Sequence, residues 1–243
     1  MPDYNIFENH LKNIALPNMS HDVVGLVHGY PFHRLLLGTQ SQTKPNILLS
    51  SGIHGDEPAG VEAILQFLTS DLTNILNHFH ITILPCVNPS GYANDLRENI
   101  NGDDINRGFE TDELPEVDLI KKAISNQHFL FHHDLHEDYD ATGSYFYEGH
   151  KKEQWLTPTI AQLCNKIGPL DTPDEDDDNP DLLIAPNTYK ISPAWGLQGF
   201  VSYTLHKNTD HVLITETSSN WPMPMRVEVH LTALNQMLAH YMR

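Results

Sequence analysis

Residues 46–60 read NILLSSGIHGDEPAG, and this stretch decides the fold. Its first six residues predict a buried strand that ends in a turn. The apolar residues that follow Gly60 are spaced as on one face of a helix: Val61, Ile64, Leu65 and Leu68. His54 and Glu57 therefore lie where a strand passes into a helix, a position that often carries chemistry in α/β proteins. Taken alone, the pair fits either a polar turn with a helix-initiating acid or two ligands of a metal.

The chain is strongly acidic. Its 243 residues include 32 Asp and Glu against 14 Lys and Arg, for a formal charge of −18. Such a charge argues against partners with a nucleic-acid backbone or an anionic membrane surface. The length fits a single domain over residues 1–243.

Two features predict a cytoplasmic protein. Residues 1–13 lack the apolar core of a signal peptide, and no stretch approaches the roughly 20 apolar residues that span a bilayer. The two cysteines, Cys86 and Cys164, have no metal-type spacing, so neither a disulfide framework nor a cysteine-bound metal is expected.

Apolar runs and turn signals predict alternating strands and helices. Strands are expected at 22–28, 32–38, 46–51, 81–87, 129–134 and 212–217. Helices are expected from the residues after Gly60 to about Leu68, and at 116–126, 152–167 and 226–242. This order predicts an α/β fold: a single-domain three-layer sandwich with a mixed, mostly parallel twisted sheet and helices on both faces.

Polar side chains cluster where apolar runs end: His54 with Glu57, the loop from Arg97 to Arg107, His136, and Glu216. The carboxyl ends of neighbouring parallel strands converge on one crevice, so these groups are expected together. Two imidazoles and a carboxylate are a usual ligand set for catalytic zinc, which makes His54, Glu57 and His136 candidate ligands. Glu216 is the candidate general base, because a carboxylate in an apolar strand is costly unless it is paired or employed. The alternative for Glu216 is a strand-end acid paired with a cation.

His136 has rivals on its own segment. On an alternating strand, His132, Asp134 and His136 share one face while His133 points to the other. Any one of these histidines could be a satisfied polar residue rather than a ligand. The combination of the four clusters favours the metal site.

These residues resemble the zinc carboxypeptidases of the funnelin type, in particular short bacterial members such as the murein peptide amidases. The resemblance runs from about Asn46 to Trp221. It is carried by these motifs in this order: HGDE at 54–57, NPSG at 88–91, Arg97, DINR at 104–107, DLH at 134–136 and Thr215-Glu216. It implies one Zn²⁺ held by His54, Glu57 and His136.

The same resemblance implies roles for other residues. Glu216 resembles the general base and acid, and Arg97 the residue that polarises the scissile carbonyl and stabilises the oxyanion. Asn106 and Arg107 resemble the pair that grips the substrate's terminal carboxylate, a task that suits a planar guanidinium. Asp104 resembles the acid that orients a ligand imidazole, here that of His54.

Two features of the family have no clear counterpart. No motif selects the tyrosine that closes over substrate in digestive members, although Tyr189 and Tyr203 lie in the expected part of the chain. The pocket for the substrate side chain is expected between about Tyr189 and Thr215, where no isolated acid or base stands out. The acidic run at 171–181 is interpreted as an exposed loop or lid.

The resemblance implies a metallopeptidase that hydrolyses an amide next to a residue with a free carboxylate, with a small peptide or amino-acid conjugate as substrate. The alternative is an N-acyl amino acid deacylase resembling succinylglutamate desuccinylases and aspartoacylases, which share the same catalytic elements. Those enzymes usually continue with a β-rich domain, whereas here 27 residues follow Glu216, which favours the peptidase. A third hypothesis is a metal-binding module without turnover.

Overall fold

The structure is a computed structural model that describes residues 3–38, 44–111, 113–152, 154–171 and 181–243. The acidic run predicted to be a loop or lid lies outside these ranges, apart from its end residues Asp171 and Asp181. Within the described residues, nine strands form one sheet. Their order across the sheet is β1 (Met19–Val27), β2 (Tyr30–Leu37), β4 (His80–Leu84), β3 (Asn46–Ser51), β5 (His132–Asp138), β9 (His211–Ser218), β6 (Tyr145–His150), β8 (Thr188–Lys190) and β7 (Leu183–Ala185).

The centre of the sheet is parallel and its edges are mixed. The four central strands, β4, β3, β5 and β9, run parallel to one another. On one side β2 and β1 are antiparallel, and on the other β6 runs antiparallel to β9. Beyond β6, strand β8 is parallel to β6 and β7 is antiparallel to β8. The carboxyl ends of β3, β5 and β9 therefore meet at one edge, which confirms the predicted convergence.

Helices cover both faces of the sheet, as predicted. They are α1 (Tyr4–Asn13), α2 (Pro58–Leu68), α3 (Thr73–His78), α4 (Pro89–Asn94), α5 (Pro115–Ala123), α6 (Thr157–Cys164), α7 (Phe200–Lys207) and α8 (Met223–Tyr241). Alternation along β3 sends Leu49 into a core with α1, α2, α6 and α8, and Leu48 into a second core with α5 and α7. The buried apolar residues on the two faces hold the three layers together.

Several predicted boundaries were wrong. The strand expected at 129–134 is formed by His132–Asp138, and Phe129 makes only an isolated bridge to Thr209. The helix expected at 152–167 is shorter, at Thr157–Cys164, and the strand expected at 81–87 ends at Leu84. The error at β5 has a physical reason: its polar side chains are buried and have partners inside the protein, so the strand continues through residues that look like a loop.

In the part of the chain that the structure describes, no helix combines the length and the apolar character needed to cross a membrane. Cys86 and Cys164 are both buried and free.

Helix α8 carries a buried histidine that should make the protein sensitive to acid. Neither ring nitrogen of His230 has a hydrogen-bond partner among the described residues. Burial, together with nearby His133, lowers the pKa of His230 from 6.5 to about 3. The unfolded chain therefore takes up a proton below pH 6.5 that the folded chain excludes, and the free energy of unfolding falls as the pH drops from about 6.5 to about 3.

Replacing this histidine should weaken the dependence of stability on pH. For His230→Leu we expect the slope of unfolding free energy between pH 6 and 4 to fall by up to about 1.4 kcal/mol per pH unit. Denaturant unfolding at several pH values measures this slope. The same change at the exposed His10 serves as the control and should leave it unaltered. An identical slope in His230→Leu and the wild type would contradict the prediction.

Candidate active site

Three side chains converge beyond the carboxyl ends of β3 and β5. His54 and Glu57 belong to the loop between β3 and α2, and His136 lies on β5. Each contributes one ligand atom, and these atoms all lie within 4.8 Å of one another. The Nδ1 atoms of His54 and His136 lie 2.5 Å and 3.0 Å from the two carboxylate oxygens of Glu57. Two imidazole nitrogens and a carboxylate grouped this closely can hold a metal ion, so this donor set suits the predicted zinc site.

The charges in this cluster favour a bound cation. Burial alone would raise the pKa of Glu57, but the imidazoles of His54 and His136 outweigh it and hold that pKa well below its ordinary value. Burial opposes the charge on the histidines too, yet nearby carboxylates raise the pKa of both. Protons and a metal ion would therefore compete for these nitrogens, and metal binding would release protons.

The outer ring nitrogens of both histidines face acids. His136 Nε2 lies 2.9 Å from Asp134 Oδ2, and His54 Nε2 lies 3.6 Å from Asp104 Oδ1. A carboxylate behind a ligand imidazole fixes its orientation and raises its basicity. Asp104 thus lies on the outer side of the His54 ring, and its orienting role stays a prediction. Asp134 has the matching position beside His136; it was not singled out from the sequence for this position, although strand alternation places it on the face of His136.

The rival histidines of β5 do not belong to the donor set. The ring of His132 lies between Ser50 Oγ, at 2.7 Å, and Thr204 Oγ1, at 2.7 Å. His133 points to the opposite face, where its Nε2 lies 2.8 Å from Thr215 Oγ1. Both have their pKa lowered by burial, to about 4 and about 3 respectively. Neutral, hydrogen-bonded histidines of this kind stabilise the strand, and the alternation predicted for the segment is the one observed.

The NPSG motif packs against the loop that carries His54 and Glu57. Asn88 begins α4 by accepting a hydrogen bond from Gly91 N at 2.8 Å, and its Nδ2 donates to Arg97 O at 3.3 Å. Gly55 N donates to the same carbonyl at 3.3 Å. A Cβ on Gly55 would lie 2.0 Å from the carbonyl carbon of Gly91, so only glycine permits this contact. The motif therefore fixes the loop that carries His54 and Glu57.

The loop after α4 supplies three further polar side chains. Arg97 reaches the candidate ligands, with Nη1 3.6 Å from Glu57 Oε1 and Nη2 3.6 Å from Asp104 Oδ2. Asn106 accepts a hydrogen bond from Phe200 N at 2.9 Å, which leaves its NH₂ group as the donor. Arg107 lines the same cavity. All three predicted residues thus border one space with the candidate ligands.

That space is a cleft of about 850 Å³. Its lining residues are His54, Asp56, Glu57, Asp95, Arg97, Asn106, Arg107, His136, Glu137, Asp138, Tyr139, Asp140, Tyr145, Tyr147, Trp195, Gln198, Gly199, Val201, Ser202, Ile214, Glu216 and Ser219. Glu216 comes from β9, next to His136 in the sheet register. Burial raises the pKa of Glu216 to about 8 despite His136, and its Oε2 has no hydrogen-bond partner among the described residues. A carboxyl group in this state can take up a proton at neutral pH.

The tyrosines suggested by sequence position are not in this lining. Tyr189 packs on Tyr147, and Tyr203 packs on Phe109. Tyr145 and Tyr147 of β6 line the cleft instead, and the Tyr147 ring meets Trp195 edge to face at 5.2 Å. The buried Val201 and Ile214 continue this wall, which carries no formal charge. Strand β6 is absent from the sequence prediction, so its tyrosines were missed.

The sequence is similar to known hydrolases. Residues 43–169 match the succinylglutamate desuccinylase/aspartoacylase catalytic domain family. The chain is 33% identical to carboxypeptidase E of Caenorhabditis elegans over 34% of this chain and 21% of that protein. It is 42% identical to murein peptide amidase A of Escherichia coli K12 over 30% of this chain and 29% of that protein. The matches thus span less than a third of these relatives.

Solved structures with the same fold cover nearly the whole chain. A candidate metallopeptidase of Shewanella denitrificans OS217 superposes with a TM-score of 0.84 at 20% identity, over 98% of this chain and 90% of that one. Carboxypeptidase A of Helicoverpa armigera superposes with a TM-score of 0.66 at 15% identity, over 98% of this chain and 71% of that one. These likenesses establish the carboxypeptidase-like fold. Since the family match covers half of the sequence, including His54, Glu57 and His136, the chain belongs to the succinylglutamate desuccinylase/aspartoacylase catalytic domain family.

Proposed function

We propose that this protein is a zinc-dependent hydrolase that cleaves the amide bond of a small peptide next to a residue with a free carboxylate. One observation carries the proposal: a single cleft is lined by the His54–Glu57–His136 donor set, by Glu216 and by Arg107. These groups together meet the needs of metal-assisted amide hydrolysis. The carboxypeptidases and the murein peptide amidase among the relatives support it.

His54, Glu57 and His136 would hold the metal. Nitrogen and carboxylate ligands with a position left for solvent are typical of catalytic zinc, and one ion is proposed. When bound, zinc polarises a carbonyl and makes water more acidic, which supplies a nucleophile at neutral pH. Asp104 and Asp134, which face the outer nitrogens of the two imidazoles, would fix the orientation of both rings when they hold the ion.

The remaining residues would handle substrate and protons. Asn106 NH₂ and Arg107 bind the terminal carboxylate, which fixes the scissile amide in the cleft. Arg97 donates to the carbonyl oxygen as negative charge develops on it. Glu216 accepts the proton of the attacking water and delivers it to the leaving nitrogen. The neutral wall of Tyr147, Trp195 and Ile214 favours an apolar side chain next to the carboxylate.

The role of Arg107 gives the test of this function. Wild type should release amino acids from dipeptides with a free carboxyl end and should lose most activity on amidated ones. A hydrogen bond to a charged group is worth about 1.5–3 kcal/mol, so Arg107→Gln should lower kcat/KM for free-acid substrates by about 10- to 150-fold. For amidated substrates, the kcat/KM of Arg107→Gln should stay close to that of the wild type. Peptidase assays across both series measure this selectivity.

The control for this test is Arg34→Gln. Arg34 pairs with Asp22 through a 2.8 Å contact and does not line the cleft. It should keep the wild-type preference for a free carboxylate. Equal wild-type rates on acids and amides would refute the assignment of Arg107. Metal binding without hydrolysis of any substrate would instead indicate a binding module.

The family match favours a second candidate, an N-acyl amino acid deacylase of the succinylglutamate desuccinylase/aspartoacylase type. The same ligands and the same Glu216 would serve that reaction, since an N-acyl amino acid also carries an amide and a free carboxylate. Parallel assays with N-acetyl and N-succinyl amino acids distinguish the two functions. Faster release from these conjugates than from dipeptides would support the deacylase and overturn the peptidase.

A further inference from the structure

The carboxylate of Glu137 is buried directly behind the candidate metal site. Glu137 follows His136 on β5 and is 3% exposed. One carboxylate oxygen accepts a hydrogen bond from Ala59 N at 2.6 Å, and the other lies 2.5 Å from Nη1 of Arg226. Both oxygens of Glu137 thus have a partner inside the protein.

These bonds join the two parts of the donor set. The backbone N of Glu137 donates to Glu57 Oε2 at 3.0 Å, while its side chain binds Ala59, two residues beyond Glu57. Helix α2 begins at Pro58, and Glu57, which precedes it, makes no side-chain capping bond to it. Glu137 therefore supplies from β5 an acceptor for a backbone N–H that the first turn of an α-helix leaves unpaired.

Close packing leaves this junction little freedom. A Cβ on Gly60 of α2 would lie 2.8 Å from Leu135 O of β5, so the helix contacts the strand backbone directly. The Arg226 side chain comes from the first turn of α8 and is 13% exposed. A buried carboxylate needs such a partner, because an unpaired charge inside a protein is strongly unfavourable.

We propose that Glu137 is a positioning residue of the metal site, which holds Glu57 at a fixed place relative to His136 and is itself held by Arg226. The inference rests on the proposed metal-dependent function. Glu137 is among the residues that line the cleft, but both of its carboxylate oxygens have partners within the protein, so its side chain would neither bind the metal nor hold the substrate. Its effect would be on how tightly the three ligands hold the ion.

The test is the zinc affinity of a Glu137→Gln variant, measured by competition with a chromophoric chelator. Partners that orient metal ligands typically change affinity by about 10- to 100-fold, and a loss in this range is expected. The visible spectrum of the cobalt-substituted protein should change as well, since it reports ligand geometry. KM for substrate should stay near the wild-type value when the variant is saturated with zinc.

The chain offers a matched control in Glu148→Gln. Glu148 is also a buried strand carboxylate: it accepts hydrogen bonds from Thr157 N and Thr157 Oγ1 at the start of α6, and it pairs with His211. It does not line the cleft. This variant should lose stability in thermal unfolding but bind zinc like the wild type. A general effect of removing a buried charge would appear in both variants.

A milder variant covers the case in which Glu137→Gln does not fold. Arg226→Lys keeps a cation near the carboxylate but removes the planar guanidinium, so a several-fold loss of zinc affinity is expected. The inference would be overturned if the zinc affinities of Glu137→Gln and Arg226→Lys were both within twofold of that of Glu148→Gln. If Glu137→Gln is insoluble, the zinc affinity of Arg226→Lys alone decides. A wild type that binds no metal would refute the proposed function and this inference with it, whereas unchanged affinity in the variants would refute only the inference.

Discussion

A Glu216→Gln variant is expected to lose about 10²- to 10⁴-fold in kcat while keeping its metal, because proton transfer by a placed side chain contributes in that range. Glutamine has nearly the same shape as a protonated carboxyl group but cannot accept a proton from water. The loss should appear in kcat more than in KM, since Glu216 is proposed to act on the reacting atoms rather than on the substrate's carboxylate. Steady-state assays with measured metal content test this.

The stability of the same variant provides an independent check that it is folded. Burial raises the pKa of Glu216 from 4.5 to about 8, with His136 opposing the shift and Glu57 adding to it. Between these values the unfolded chain loses a proton that the folded metal-free chain retains, so the wild type loses stability as the pH rises. The metal-free Glu216→Gln variant should become more stable relative to the wild type as the pH rises over this range. The difference in unfolding free energy should reach its full size above about pH 8.

The control for catalysis is Glu116→Gln, which removes another buried carboxylate that does not line the cleft. It should retain wild-type kcat. A Glu216→Gln variant that binds metal and turns over within a few-fold of the wild type would refute the role proposed for Glu216. The acid would then be a strand-end charge satisfied by the neighbouring imidazoles.

Removal of the metal is the second change with a large expected effect, namely loss of activity to background. Dialysis against a chelator should abolish hydrolysis, and added zinc should restore it at about one ion per chain. His136→Ala removes one of three ligands and should give the same loss, without full recovery on adding zinc. Metal analysis and activity, measured on the same samples, test both results.

The pH dependence of metal binding follows from the histidines of the site. Nearby carboxylates raise the pKa of His54 and of His136 in the metal-free protein, so protons compete with the metal. Apparent zinc affinity should therefore increase as the pH rises through neutrality. His133→Ala is the matched control, because His133 lies on the same strand and faces the other side of the sheet. The His133→Ala variant should still bind one zinc ion. Full activity in the metal-free wild type would contradict the proposed metal dependence.

The sequence by itself determined the elements whose signals are local. The apolar run at Asn46–Ser51 and the spacing after Gly60 predict a strand, a loop and a helix, and the structure has β3 and α2 there. Alternation on β5 predicts that Asp134 and His136 share a face. The alternation of strands with helices predicts the parallel centre of the sheet. Each of these signals depends only on residues that are close together in the sequence, so it can be recognised without knowledge of the fold.

Only the tertiary structure decided which distant residues meet in and around the cleft. Arg226 and Glu137 are 89 positions apart, and nothing near either residue in the sequence indicates that they pair. Tyr147 comes from a strand that pairs antiparallel with β9, and Trp195 from a short 3-10 turn, so their contact depends on how these segments pack. The physical reason is that charge pairing and aromatic packing depend on distance in space, whereas periodicity records only the order of residues along one element.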